Sequence, residues 1–208
     1  MEDILALYKR PHDPDKPMVC MDETTKQLTK ETRKPVAAGP GIPTRYDYEY
    51  ERNGTCNLFM FYEPFGGKRY VSITDHRRKT DWALQIKDLL DNQYPNTKKV
   101  VLVMDNLNTH SGASLYEAFK PHEARRLLDR LEIHYTPKHG SWLNIAEIEL
   151  RVLMNQCLKR RIPDKCTLER EVSQWQIERN FLQAKVNWRF STDDARIKLK
   201  RLYPTLLT

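Results

Sequence analysis

No apolar run in the 208-residue sequence approaches the roughly 20 residues that a membrane-spanning helix needs. The first ten residues, MEDILALYKR, scatter acids and bases among the apolar positions, so the basic start and unbroken apolar stretch of a secretion signal are missing. A cytoplasmic protein is expected. Cysteine is scarce: Cys20, Cys56, Cys157 and Cys166 form no CxxC pair and have no His at zinc-finger spacing. That excludes a zinc ribbon and predicts free thiols in a reducing compartment. No internal repeat or low-complexity tract is present, and no Ser, Cys or Tyr is paired with a base that would activate it as a nucleophile.

What the sequence has is a balanced, soluble composition with a lopsided charge. Hydrophobic residues make up 39% and charged residues 30%, enough apolar matter for a real core. The net charge is +7. From Arg151 onward there are 13 Lys or Arg against 6 Asp or Glu, whereas the first 150 residues hold 22 of each. The excess therefore lies wholly toward the C-terminus, where it suits either a phosphate backbone or a solvated helix face.

Periodicity gives the order of elements. Residues Glu2 to Tyr8 predict a short helix, stopped by the linker RPHDPDKP. Met18 to Met21 is a short buried strand that ends at Asp22, and the Pro- and Gly-rich stretch from Lys34 to Pro43 is a loop. TCNLFMFY, the turn EPFGG and KRYVSITD predict a hairpin. A helix follows over Thr80 to Asn92, with Thr80 or Asp81 as its cap. VVLVM, Val100 to Met104, reads as a central strand covered on both faces, and it too ends in an aspartate, Asp105. Ser114 to Arg130 is helical with a break at Pro121, Leu131 to Tyr135 alternates as a strand, and Ser141 caps a helix from Trp142 to about Arg161. A last helix is expected near Leu168 to Val186. The order predicts an α/β domain with a mixed sheet.

Open α/β sheets bind ligands beyond the carboxyl ends of their strands, where Asp22 and Asp105 are expected. Two carboxylates at one edge repel each other unless a cation lies between them. Hard oxygen donors without a Cys or His cluster favour Mg²⁺ or Mn²⁺ over zinc. The competing reading is that both aspartates merely cap turns. For a third acid the helix after the last strand offers Glu147 and Glu149. On a helical wheel Glu149 falls within the apolar arc of Trp142, Ile145, Ala146, Val152 and Leu153, where it needs a buried partner, while Glu147 falls at the edge of that arc. Spacing alone leaves both open.

VCMDE, VLVMDNLNTH and HYTPKHGSWLNIAEIE resemble the three acidic signatures of the mariner-like superfamily of DDE transposases, in particular its bacterial insertion-sequence branch. The resemblance extends through RNGTCNLFMFYEP, SLYEAF, EARRLLDRLEIHYTP and DARIKLKRLYP, nearly the whole chain. It departs from the family at Asn144-Ile145-Ala146, which lacks the usual Pro, and in the 41 residues between Asp105 and Glu147, more than in eukaryotic mariner elements.

The resemblance implies a ribonuclease H-like fold, a mixed five-stranded sheet with flanking helices, and places Asp22, Asp105 and Glu147 in the catalytic, metal-binding triad. It further implies two Mg²⁺ or Mn²⁺ ions, cleavage and strand transfer at insertion-sequence ends, and a homodimer on DNA. His110, Lys138 and His139, on loops beside the triad, are candidate phosphate contacts. Arg33, Lys34 and Arg45 flank the Pro-rich loop, and Trp142 suits a core or cap contact better than a base stack. The expected organisation is an N-terminal helix and linker over 1–17, the catalytic domain over 18–162 and a basic helical extension over 163–208. Only 21 residues precede Asp22, too few for the helix-turn-helix region of family members, so a truncated or separately encoded catalytic part is expected. A nuclease that never joins strands and a silent remnant that binds DNA or a full-length partner are the alternatives.

Overall fold

The computed structural model describes residues 1–138 and 140–203. A helix α1 (Glu2–Leu7) leads into β1 (Met18–Glu31), β2 (Tyr50–Glu63) and β3 (Lys68–Thr74). Helix α2 (Lys79–Asp88), β4 (Val100–Met104), α3 (Gly112–Ala118), α4 (Pro121–Asp129) and β5 (Leu131–Tyr135) follow, and then α5 (Ile145–Gln156), α6 (Lys165–Phe181) and α7 (Thr192–Lys198). The strands form one five-stranded sheet in the order β3-β2-β1-β4-β5. The first three strands are an antiparallel meander, and β4 and β5 are added in parallel. This is the mixed five-stranded α/β sheet with flanking helices expected from the sequence.

Alternation along the central strands sorts their side chains into two cores, because successive residues of a strand point to opposite faces. On one face Met18, Cys20, Leu58, Met60, Val101 and Val103 pack with α1, α5, α6 and α7. On the other, Val19, Met21, Phe59, Phe61, Leu102 and Met104 pack with α2, α3 and α4. The result is a three-layer sandwich. Both helices beyond residue 163 share the first core, through Leu168, Val172 and Trp175 of α6 and Ala195 of α7.

The C-terminal basic residues help to hold those helices down. Arg161, Lys165, Arg179 and Arg196 pair with Glu31, Asp75, Glu149 and Glu2, all acids of the first 150 residues. Part of the basic excess is thus spent inside the molecule. The Pro-rich loop closes on itself through the bridges Val36 to Arg45 and Gly39 to Ile42 and stays exposed, with Arg33 beside Asp47 at its base.

Three elements differ from the sequence expectation. Strand β1 does not stop at Met21 but runs to Glu31, because beyond Asp22 it leaves β4 and continues paired with β2 alone. The helix after β3 is capped at Arg78, with Asp81 at its third position accepting from the Arg78 N–H, and it passes into a π-turn over Leu89–Gln93. The third is the helix start near Trp142. Residues Ser141–Leu143 close a 3₁₀ turn, and Asn144, not Ser141, caps α5, which ends at Gln156.

Candidate functional site

Parallel pairing sets the level of the two aspartates. Met18 faces Val101, Val19 faces Leu102 and Cys20 faces Val103, so the same offset continued places Asp22 level with Asp105. Asp105 lies one residue beyond the end of β4. By alternation Asp22 follows Cys20, and Asp105 follows Val103, onto the face covered by α5. Where β4 stops and β1 runs on, a notch opens at the sheet edge.

Helix α5 starts close enough to this notch for the Glu147 charge to act on Asp22. Asn144 fixes its start: the buried amide accepts from the Ala146 N–H at 3.1 Å and donates to the Met21 carbonyl at 2.7 Å. One side chain thus caps the helix and ties it to the strand residue before Asp22. Glu147 lies in the first turn and is exposed. Glu149 is 1% exposed and points the other way, between Arg69 Nε at 3.1 Å and Arg179 at 2.9 Å. The two glutamates left open by spacing therefore have different environments, a solvated notch and a buried ion cluster.

The electrostatics of the notch are those of crowded carboxylates. Burial pushes the Asp22 carboxyl up to about 7; the Glu23 N–H, donating to it at 2.8 Å, opposes this, and the charges of Asp105, Glu23 and Glu147 add to the rise. Among the described residues no group of three or more Asp, Glu, His or Cys side chains is already gathered closely enough to hold a metal ion. The donors fit a hard divalent cation in chemistry, all being carboxylate oxygens, and their uncompensated repulsion is what such a cation relieves.

His110 is placed differently from a phosphate contact. Its side chain is fully buried, with Nδ1 2.6 Å from Asp105 Oδ1 and Nε2 at ion-pair distance, 2.8 Å, from Glu23 Oε2. Burial by itself drives its pKa down, yet the hydrogen bond to Asp105 and the close carboxylate of Glu23 outweigh that and hold it up at about 9. The ring lies 5.9 Å from that of Trp82, and Tyr135 donates to the His110 carbonyl. No edge of this imidazole is left to reach DNA. Lys138 is exposed on the turn after β5, and His139 lies outside the described residues. Trp142, 40% exposed, is not a core residue; it stacks on Trp188 at 6.3 Å and meets Phe190 edge-on.

Sequence reasoning missed Glu23 and Asn144. Glu23 stands next to Asp22, but nothing in spacing pairs it with a histidine remote in the chain. Asn144 carried a readable signal, since Asn directly before an apolar helical run is a common cap.

Comparisons with known proteins agree with the fold. By fold the chain is similar to the Mos1 mariner paired-end complex with Mn, with a TM-score of 0.59 and 18% identity, over 88% of this chain and 55% of that one. It is similar to the Mos1 strand transfer complex with a TM-score of 0.58 and 16% identity, over 88% and 54% of the two chains. The chain thus spans about half the length of these solved chains. No curated protein matches it by sequence. The family described as DDE superfamily endonuclease matches residues 17–169, the span that carries the sheet, the notch and all three acids, and the chain belongs to that family.

Proposed function

We propose that this chain is the catalytic core of a DNA transposase, in which Asp22, Asp105 and Glu147 hold two divalent ions, Mg²⁺ or Mn²⁺. The observation that supports the reading is that Asp22 on β1, Asp105 past the end of β4 and Glu147 at the start of α5 lie close enough for the last two charges to add to the rise that burial gives the Asp22 pKa. Bound there, the metal would lower the pKa of an attacking water or 3′ hydroxyl and stabilise the leaving 3′ oxygen. The chain's own task is to hold the acids in place. β1 and β4 set Asp22 and Asp105 level, while Asn144 fixes the first turn of α5 and so the approach of Glu147. Lys138 offers an exposed cation to a neighbouring phosphate.

The substrates proposed are insertion-sequence ends and target DNA, engaged as a homodimer. The fold neighbours are a paired-end complex and a strand transfer complex, which supports cutting and joining by one site. The two reactions share an in-line displacement at phosphorus, so the same three acids serve both.

The test uses labelled element-end DNA with Mg²⁺ or Mn²⁺, comparing wild type with Asp105→Asn and Glu147→Gln. Losing one ligand removes several kcal/mol of transition-state stabilisation, a drop in cleavage of roughly a thousandfold. Cleavage indifferent to both substitutions refutes the triad. Cleavage without joining to a target identifies a nuclease, and DNA binding without cleavage identifies a silent remnant.

A further inference from the structure

A buried side chain that bridges two acids needs a reason. Packing alone does not supply one: His110 sits against Trp82 in a core otherwise built from apolar residues, where an apolar side chain would fill the space without burying polar nitrogens. The loop that carries it is held from several sides. The His110 N–H donates to the Leu107 carbonyl, the Ser114 hydroxyl donates to the Thr109 carbonyl at 2.8 Å, and the Tyr135 hydroxyl donates to the His110 carbonyl at 2.8 Å. Backbone and ring are thus fixed before any ligand arrives. Nδ1 is hydrogen-bonded to Asp105 Oδ1, while Nε2 lies at ion-pair distance from Glu23 Oε2 without hydrogen-bond geometry. Glu23 is 4% exposed, points away from the notch by alternation, and directly follows Asp22.

We propose that His110 is a positioning residue that clamps the two aspartate-bearing strands of the site. Through Nδ1 it fixes the Asp105 carboxylate so that Oδ2 faces the notch. Through Nε2 and Glu23 it fixes the stretch of β1 that presents Asp22. This rests on the reading of Asp22 and Asp105 as ligands. Partners that hydrogen-bond a ligating carboxylate typically contribute about 10–100-fold to metal affinity or activity.

The test measures Mn²⁺ binding to the full chain without DNA, by the loss of the free-ion electron paramagnetic resonance signal, alongside thermal melting. The proteins are wild type, Asp105→Asn, His110→Ala, His110→Asn and Glu23→Gln. His110→Ala should weaken Mn²⁺ binding by about 10–100-fold. His110→Asn, whose amide can still donate to Asp105, should recover binding to within about threefold of wild type, and Glu23→Gln should fall between the two. The Asn and Gln variants keep a polar group of similar size, so the question stays open to measurement even if the alanine variant fails to fold. Unchanged Mn²⁺ affinity in His110→Ala, or an Asn variant that folds but binds no better than the alanine one, overturns the inference. Should Asp105→Asn itself bind Mn²⁺ like wild type, the ligand reading fails instead, which separates the two claims.

Discussion

Replacing Glu149 with glutamine removes the one acid that pairs with both Arg69 and Arg179 among the described residues, and the structure sets the size of the effect. Arg69 is fully buried; its remaining partners are the Asn180 side chain, the Ala184 carbonyl and the faces of Tyr62 and Trp175, all neutral. Breaking a buried pair by neutralising one member costs about 3–5 kcal/mol, because the other charge is left uncompensated. Arg179 is 20% exposed and partly recovers its hydration, which favours the lower figure of about 3 kcal/mol. For a chain of this size that is a fall in melting temperature of roughly 6–12 °C. Glu147→Gln, on an exposed position, should change stability by less than about 0.5 kcal/mol. Differential scanning calorimetry on the two variants, with Arg69→Met added in each background, tests this. Arg69→Met should cost less when Glu149 is already neutral. A Glu149→Gln protein melting within about 2 °C of wild type would show that the ion cluster does not hold α5 against β3 and α6.

Two further outcomes follow from the same contacts. Asn144→Ala removes a helix cap and leaves the Met21 carbonyl without its donor, so urea unfolding should report a loss of about 2 kcal/mol, with a weaker response of cleavage to metal as α5 loosens. In metal-free protein the Asp22 carboxyl binds its proton more tightly when folded, at about 7 against the usual 3.8, so its contribution is complete below the lower value and is lost as pH rises through the upper one. His110, held at about 9 against 6.5, loses its contribution in a higher window. Between about pH 4 and 7, therefore, Asp22→Asn should melt with a smaller pH dependence than wild type, and Mn²⁺ should stabilise wild type more at about pH 8 than at about pH 5.

The legible parts of the fold are those where a single physical signal decided. β4 and β5 match the runs VVLVM and LEIHY to the residue, since a short apolar or alternating run bounded by polar turns has few other solutions. The far half of β1 carries Thr, Lys and Gln on both faces, because beyond Asp22 it pairs only with β2 and is not covered as a central strand is; hydrophobic pattern is silent there. The wheel left Glu147 and Glu149 both open but placed Glu149 in the apolar arc, where it needs a buried partner, and Arg69 and Arg179 provide it. The identity of those partners, like that of Glu23 for His110, depends on β3, α6 and β1 coming together in space. Local periodicity cannot carry that information.

The central claim is that three acids from three elements bind metal together. A crystal of the chain soaked in Mn²⁺, measured for anomalous scattering, tests it most directly. The account predicts density bounded by Asp22, Asp105 and Glu147, at Mn–O distances of about 2.1–2.3 Å, that disappears in Asp105→Asn crystals. Manganese bound at Glu149 or elsewhere on the surface, with the notch empty at saturating Mn²⁺, would contradict it.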